Sequence, residues 1–339
     1  MATIKIDDIA AQAGVCKATV SRTLRNPDIV SPETRNKVMS VVDRLGYTPN
    51  RLGASLRQGS SHTIVVILPD ITNPFFSPIV REIERVAIAR GYSVLLGDTL
   101  DDPALERAFA KMVRSRQADG IIISSQRLPY DIDEQTQLAL QLPPLVSIAE
   151  VVPTEGVHKV VVDNQEVGRT ATRHLLELGH TRIAAIAGPT ELRSSIDRLA
   201  GYRAALTEAD ITVDEKLICY GDYSSESGVE GTRQLMQHKQ RPSAIFCLGD
   251  SVAIGALHIL RELGYRVPED ISVIGVDGVA PAKYSAPPLT TVAQPMEQIG
   301  KISMETLLAL IEGRKPEKTL NILPHELVVR GSTGPAPRE

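Results

Sequence analysis

Residues 6–26, IDDIAAQAGVCKATVSRTLRN, decide the fold of the N-terminal part of this 339-residue chain. Their apolar spacing predicts two short helices, over residues 6–13 and 17–24. Gly14 permits a sharp turn between the helices, and the small side chain of Ala10 lets them cross closely. Two short helices that meet at a tight glycine turn are typical of a helix-turn-helix.

A third helix is predicted after this pair. Ser31 is a good N-cap, Pro32 suits the first turn, and Gly46 is expected to end the helix. The apolar stripe of this helix comprises Val38, Val41, Val42 and Leu45. We therefore expect an all-α headpiece over residues 1–48.

Basic residues are concentrated in the N-terminal part of the chain. The first 60 residues hold nine Lys or Arg against five Asp or Glu, a net charge of +4, whereas the whole chain carries −4. A basic head on an acidic body predicts that only the N-terminal end meets nucleic-acid phosphates.

The second helix is expected to lie in the major groove of duplex DNA. Arg22 can donate two hydrogen bonds to guanine, and Ala18 can contact a thymine methyl group. The candidates for base contact are Lys17, Ala18, Ser21 and Arg22, and those for phosphate contact are Thr19, Ser21 and Asn26. A solvated helical bundle without a role in DNA binding is the alternative.

One long motif resembles the headpiece of the LacI/GalR family of bacterial transcription repressors nearly position for position. It comprises Ile9-Ala10, Ala13-Gly14-Val15, Ala18-Thr19-Val20-Ser21-Arg22, Leu24, Asn26, Gly46-Tyr47 and Pro49-Asn50. Cys16 stands where the family usually has a serine N-cap, which predicts a less firm start of the second helix.

The resemblance also implies a hinge over residues 49–60, which folds into a helix when two copies meet over the operator. Asn50, Gly53 and Leu56 would then contact DNA, with Leu56 wedged between base pairs of the minor groove. Gly53 replaces the usual alanine and makes the hinge harder to order. A plain flexible linker is the alternative.

From residue 62 onward, Val/Ile-rich runs alternate with amphipathic stretches, which predicts two doubly wound parallel sheets in two α/β lobes. The predicted strands are 63–68, 93–96, 120–123, 145–148, 157–162, 183–187, 244–247 and 271–276. The predicted helices are 78–90, 103–115, 133–140, 165–178, 199–209, 225–237 and 251–263.

This body resembles the type I periplasmic-binding-protein fold that the same family shares, at landmarks such as Leu178-Gly179-His180 and Pro288-Leu289-Thr290. The resemblance implies an effector-binding and dimerisation core over residues 61–339. Lobe one would comprise about 61–161 plus 292–321, and lobe two about 162–291 plus 322–331.

Ligands of open α/β sheets bind at the carboxyl ends of the strands, which here means the cleft between the lobes. Phe75 and Phe76 follow the first strand and form either an aromatic wall or part of the core. Arg198 is predicted to open its helix, where the helix dipole disfavours a cation, and this points to a functional role for Arg198. Asp277 follows strand 271–276 and can accept hydrogen bonds from hydroxyl or amino groups.

The family resemblance implies a set of effector contacts at Phe75, Phe76, Ser194, Arg198, Tyr223, Asp250 and Asp277. Asp250 can instead cap the helix that follows it, and Asp163-Asn164 is interpreted as another helix cap.

Several segments, among them Pro74-Phe75-Phe76-Ser77 and Leu96-Gly97-Asp98, look most like the cytidine repressor branch of the family. That resemblance implies a nucleoside effector, whose base would stack on the phenylalanines while Arg198 and Asp277 hold the ribose. A free sugar such as ribose is the alternative.

Other functions are less consistent with the sequence. It has no apolar run of 18 residues and no signal-peptide core, so we expect a cytoplasmic protein without a membrane partner. Cys16, Cys219 and Cys247 lie far apart and no metal-ligand spacing occurs, so we expect reduced thiols, no metal and no cofactor.

No Walker loop or GxSxG motif occurs, so no catalytic residue is assigned, although an α/β enzyme acting on nucleosides or sugars is a remote alternative. We expect a homodimer matched to a pseudo-palindromic operator.

Overall fold

A computed structural model describes residues 4–47, 60–130 and 142–337. The chain divides into two compact units, one ending at Ser61 and the other beginning at His62. The helix predicted over 133–140 and most of the predicted hinge, including Asn50, Gly53 and Leu56, lie outside the described residues.

The N-terminal unit contains the three predicted helices: α1 (Ile6–Ala13), α2 (Lys17–Arg25) and α3 (Pro32–Leu45), with a short 3-10 turn at Pro27–Ile29. Gly14 adopts a left-handed conformation, with φ of 64°, and ends α1. The Ser31 hydroxyl caps α3 by accepting a hydrogen bond from the Thr34 amide at 3.4 Å. The buried core of this unit consists of Ile9, Ala10, Ala13, Val20, Val38, Val41 and Val42. The helix-turn-helix prediction is therefore confirmed.

The first sheet of the larger unit is entirely parallel, in the order β11-β5-β4-β3-β1-β2. Its strands are β1 (Thr63–Leu68), β2 (Ser93–Asp98), β3 (Gly120–Ile123), β4 (Leu145–Ile148), β5 (His158–Val162) and β11 (Leu320–Leu323). Its helices are α4 (Phe76–Ala89), α5 (Pro103–Arg114) and α11 (Met296–Ile311). Ile64 and Val66 pack towards α4 and α11, whereas Val65 and Ile67 pack towards α5, so β1 is buried on both faces.

The second sheet has the order β12-β10-β9-β8-β6-β7 and is parallel except for β12, which runs antiparallel to β10. Its strands are β6 (Ile183–Ala187), β7 (Ile218–Tyr220), β8 (Ala244–Cys247), β9 (Ser272–Asp277), β10 (Thr290–Ala293) and β12 (Glu326–Val328). Its helices are α6 (Asn164–Glu177), α7 (Arg193–Glu208), α8 (Ser225–Leu235), α9 (Asp250–Glu262) and α10 (Ala280–Tyr284). The predicted two-lobed α/β class is confirmed.

Two glycines bring α6 and α7 into backbone contact. A Cβ atom on Gly168 would lie 2.0 Å from the Arg198 carbonyl oxygen, and one on Gly201 would lie 1.9 Å from the Gln165 carbonyl oxygen. Only glycine permits this approach, which fixes the position of Arg198 relative to the end of β5.

The chain crosses between the sheets after β5, after β10 and after β11. The last two crossings come later than predicted. Thr290–Ala293 still belongs to the second sheet, and Leu320–Leu323 pairs with β5 of the first sheet, so the return does not begin at about Ile322. Strand β11 is short and partly exposed, and its sequence carries no strong periodicity.

In the part of the chain that the structure describes, no helix is both long enough and apolar enough to cross a membrane.

Candidate functional site

Helix α2 presents a shallow concave surface on its exposed side. Four predicted DNA contacts line it together with Ile29, namely Ala18, Ser21, Arg22 and Asn26. Arg22 is exposed and forms no ion pair with a carboxylate of the described residues, so its guanidinium is available to a ligand. This geometry suits the groove contact expected for Arg22.

Lys17 and Thr19 are held differently. The Lys17 ammonium pairs with the Asp7 carboxylate at 2.5 Å, and the Thr19 hydroxyl lies 3.2 Å from the Cys16 sulfur. Cys16 is the N-cap of α2 but makes no capping hydrogen bond to the helix backbone. Contacts from Lys17 and Thr19 to DNA therefore remain predictions.

Ile29 is the residue of this surface that sequence reasoning did not single out. Its side chain is 65% exposed beside Asn26 and Arg22. An isoleucine after a helix is normally expected in the core, and no periodic pattern in this short turn reveals that it faces solvent.

The larger unit contains a cleft at the carboxyl ends of both sheets, of about 820 Å³ with its open mouth included. A cleft at this edge of open α/β sheets is a typical place for a small molecule to bind. Six of the predicted ligand residues line it together: Phe75, Phe76, Ser194, Arg198, Tyr223 and Asp277.

Aromatic side chains enter the cleft from both lobes. Phe75 and Phe76 contact each other edge to face, with ring centroids 5.1 Å apart, and they belong to both the core and the cleft wall. Tyr223 comes from the other lobe and has a φ of 67°, which is unusual for a residue with a side chain. Its ring rests on Gly188, where a Cβ atom would lie 2.2 Å from Cε2. Strained backbone of this kind clusters at ligand sites.

Arg198 is the centre of a buried polar cluster. Its Nε donates to Asn164 Oδ1 at 2.8 Å, its Nη1 donates to the Leu248 carbonyl oxygen at 2.5 Å, and its Nη2 lies 3.7 Å from Asp277 Oδ1. The expectation that Arg198 opens its helix is wrong, because α7 begins at Arg193. The argument from an unfavourable helix dipole therefore does not apply, and the buried cluster explains an arginine at this position.

Asp277 completes this cluster. Its Oδ1 accepts a hydrogen bond from Gln294 Nε2 at 2.7 Å. Like Tyr223, Asp277 has a positive φ, of 116°. Burial raises the pKa of Asp277, and this effect is partly opposed by Arg198 and by the Gln294 hydrogen bond.

Asp250 does not line the cleft and does not cap α9, whose N-cap is Gly249. Its carboxylate is fully buried and accepts hydrogen bonds from the amides of Gly278 and Val279 at 2.7 and 2.9 Å. A third bond comes from the Thr291 hydroxyl at 2.7 Å. Both expectations for Asp250 are therefore corrected: it holds the loop that follows Asp277.

The predicted cap at Asp163-Asn164 is half right. Asp163 caps α6 by accepting a hydrogen bond from the Glu166 amide at 3.0 Å. Asn164 instead holds Arg198.

Glu150 was not predicted, although it lines the cleft two residues after β4. Its carboxylate accepts hydrogen bonds from the Ser194 amide at 3.2 Å and from the Ser194 hydroxyl. Burial raises the pKa of Glu150, and the bonds from Ser194 oppose this in part. The rule that identified Asp277, a polar residue just after a buried strand, also identifies Glu150 when it is applied to β4.

Ser124 is a further lining residue, directly after β3. Its hydroxyl is buried and has no hydrogen-bond partner among the described residues. Buried polar groups are rarely left unsatisfied, so this hydroxyl is suited to a hydrogen bond with a bound molecule.

Within the described ranges, no group of three or more His, Cys, Asp or Glu side chains could hold a metal ion. Cys219 and Cys247 are buried free thiols and Cys16 is an exposed one.

Comparison with known proteins agrees with this architecture. Residues 5–50 match the family described as bacterial regulatory proteins, lacI family, and residues 172–333 match a periplasmic binding protein-like domain. A helix-turn-helix unit followed by a two-lobed ligand-binding unit defines a class of bacterial transcription regulator.

The chain belongs to the LacI family. It is 41% identical over 338 residues to the HTH-type transcriptional repressor CytR of Escherichia coli (strain K12), a match that covers 99% of this chain and 97% of that protein. It is 37% identical over 331 residues to the HTH-type transcriptional regulator DegA of Bacillus subtilis (strain 168), covering 97% and 98% of the two chains.

Solved structures extend this relationship. The lac repressor dimer bound to operator and the anti-inducer ONPF is 30% identical, with a TM-score of 0.84 over 98% of this chain and 100% of that chain. The complex of the transcriptional regulator CelR with cellobiose is 32% identical, with a TM-score of 0.70 over 97% and 99% of the two chains. The chain is thus a transcriptional repressor with a DNA-binding domain and a ligand-binding domain, and these relatives are regulators rather than enzymes.

Proposed function

We propose that this repressor binds operator DNA as a homodimer and that a nucleoside bound in the cleft controls its operator affinity. One observation carries the proposal: the cleft places the aromatic rings of Phe75, Phe76 and Tyr223 beside the buried polar pair Arg198 and Asp277. Such a site has an apolar face for a base and directed hydrogen-bonding groups for a sugar.

The chemistry of a nucleoside fits these two halves. A nucleobase is flat and has two π faces, so it gains most from contact with aromatic side chains. The ribose hydroxyls are donors and acceptors, which match the Asp277 and Glu150 carboxylates and the Arg198 guanidinium. Ser124 offers one more unsatisfied hydroxyl.

The sequence relationships support the same ligand class. The segments Pro74-Phe75-Phe76-Ser77 and Leu96-Gly97-Asp98 resemble the cytidine repressor branch, and the repressor CytR is 41% identical over nearly the whole chain.

The ligand acts on DNA binding through a conformational equilibrium. It shifts operator affinity only as far as it binds two arrangements of the lobes with different affinity. The 49–60 segments of two protomers would transmit this change to the operator by favouring or disfavouring their paired, folded state. The solved lac repressor relative is likewise a dimer on operator DNA. Access to the chromosome places the protein in the cytoplasm.

A free sugar such as ribose is the second candidate. The polar cluster of Arg198, Asp277 and Glu150 suits sugar hydroxyls without any base, and the CelR relative was solved with cellobiose. The aromatic residues from both lobes favour the nucleoside.

A thermal-shift screen of cytidine, adenosine, uridine, free bases and ribose tests the proposal, followed by operator titration with each hit. A nucleoside present at 100 times its Kd stabilises the folded protein by about 2.7 kcal/mol, a shift of several degrees. Loss of this shift in Arg198→Ala assigns the hit to the cleft. If ribose shifts the melting temperature and no nucleoside does, the sugar alternative replaces the proposal. Turnover of any hit by the pure protein would instead indicate an enzyme.

A further inference from the structure

A second opening adjoins the cleft and shares Pro69, Phe76 and Tyr223 with it. Among the described residues that line this opening there are four carboxylates and no lysine or arginine. We call these four residues the acidic mouth: Asp70, Asp101, Asp222 and Glu226. A ligand that enters from this side passes the acidic mouth first.

The two arginines that line the cleft, Arg127 and Arg198, already lie beside carboxylates. Arg127 pairs with the buried Glu106 carboxylate at 3.1 Å, and Arg198 lies 3.7 Å from Asp277. Glu150 lines the same cavity and is bonded to Ser194, not to a cation. The cleft and its mouth together therefore carry an excess of negative charge.

Two helix N-termini beside the cleft, those of α7 and α8, already have partners within the protein. A free N-terminus normally attracts phosphate through its unpaired amides and its dipole. In the first turn of α7, the Ser194 amide already donates to Glu150. At the N-terminus of α8, the Ser224 hydroxyl accepts a hydrogen bond from the Ser227 amide at 3.0 Å. At both helices, side chains of the protein thus already bind amides to which a phosphate would bind.

We propose that the acidic mouth is a charge filter: the cleft binds an uncharged ligand and excludes the phosphate ester of the same compound. For nucleosides this deepens the proposed function, since it assigns Asp70, Asp101, Asp222 and Glu226 to discrimination between a nucleoside and its 5′-monophosphate. A phosphate dianion near several carboxylates is repelled, and because Asp101, Asp222 and Glu226 are exposed to solvent, the repulsion is strongest at low ionic strength.

The charge filter determines which enzymes change the concentration of the ligand that the repressor binds. A kinase that phosphorylates the ligand removes it from the pool that the repressor senses, and a phosphatase or nucleotidase supplies it. The repressor would therefore respond to the compound before phosphorylation and not to its phosphorylated derivatives.

Isothermal titration of the full-length protein tests the filter with three pairs of probes. These are cytidine with cytidine 5′-monophosphate, adenosine with adenosine 5′-monophosphate, and ribose with ribose 5-phosphate. We expect the phosphate ester of a bound compound to have a Kd about 100-fold larger than that of the compound itself at low salt. The ratio should fall as ionic strength rises, because screening weakens the repulsion.

The variant Asp70→Asn/Asp222→Asn/Glu226→Gln removes three charges from the acidic mouth. An asparagine oxygen can still accept the bonds that Asp70 receives from Thr72 and Asp222 receives from Ser224, so the local turns are retained. We expect the ratio to fall to about tenfold or less. Asp210→Asn is the matched control, since Asp210 is exposed just beyond the C-terminal end of α7, whereas Ser194 lies at the start of that helix. The control should keep the wild-type ratio.

Two results would overturn the filter. One is a phosphate ester that binds within tenfold of its parent compound. The other is a large ratio that the triple variant leaves unchanged. If ribose binds and neither nucleoside does, the nucleoside assignment fails, and the ribose pair alone decides the filter.

Discussion

The DNA-reading surface of α2 and the effector cleft hold their functional side chains in opposite ways. Arg22 is exposed and makes no ion pair with the described carboxylates, so it contributes little to the fold. Arg198 is 6% exposed and contacts Asn164, the Leu248 carbonyl and Asp277. A single substitution on the exposed surface of α2 can therefore change operator preference with little effect on the fold. A substitution in the cleft also alters the packing of a lobe.

The same substitution at the two arginines gives the sharpest contrast, and Arg198→Ala should have the larger effect. It removes the donor to Asn164 and the cation beside Asp277, which keeps its hydrogen bond from Gln294, and breaking a buried charge pair costs about 3–5 kcal/mol. Chemical denaturation of the variant measures this loss. Effector response should disappear, while operator affinity without effector should persist at a temperature where the variant is folded. A wild-type dose response would remove Arg198 from the site.

Arg22→Ala should leave stability within about 0.5 kcal/mol of the wild type, because the side chain is exposed. It should cost about 1–3 kcal/mol of discrimination between operator and unrelated duplex, the contribution of a bidentate guanine contact. Competition binding at physiological salt measures the discrimination, and calorimetry with the effector serves as the control. An unchanged operator preference would refute the groove contact.

Glu150→Gln tests a buried carboxyl group of the cleft through the pH dependence of protein stability. Burial raises the pKa of Glu150, so the folded wild type binds this proton more tightly than the unfolded chain, where glutamate has a pKa of about 4.3. The contribution of Glu150 to stability is therefore present at low pH and is lost as pH rises through the raised pKa. The stability of the wild type relative to Glu150→Gln should fall across this interval. Parallel stability profiles for the two proteins would show that burial does not perturb this carboxyl.

Cys16→Ser should have the smallest effect. Cys16 makes no capping bond to the backbone of α2, and a serine hydroxyl can accept one, which stabilises a helix by about 0.5–1 kcal/mol. Thermal melting of residues 1–61 followed by helix circular dichroism would detect the gain. Ser40→Ala is a useful control because it alters an exposed hydroxyl of α3 away from this cap. A melting temperature equal to that of the wild type would mean that the contact with Thr19 already fixes the helix start.

The elements with strong apolar periodicity could be predicted from the sequence. β1, β3 and β6 have the predicted bounds because each is a continuous buried run. The start of α7 could not be found in this way: Ser194 and Ser195 are polar but buried, so the helix shows no apolar stripe at its beginning.

The candidate site was predictable where a side chain follows a strand, as with Phe75, or ends one, as with Asp277. The partners of these residues were less accessible, because Asn164 and Gln294 are distant from Arg198 and Asp277 in sequence. Asp250 shows the limit of local reasoning. Its place directly before the predicted helix 251–263 suggested a cap, but its three partners come from loops and strands that only the tertiary fold brings near.

The three crossings between the sheets have a consequence for synthesis. The first sheet gains its edge strand β11 only when residues 320–323 have left the ribosome, whereas the helices α1 to α3 are complete by residue 45. Domains generally fold as units in order of their emergence during translation. The DNA-reading end of a nascent chain is therefore ready to fold long before its sensor, and a transcript truncated near its 3′ end would yield a headpiece without ligand control.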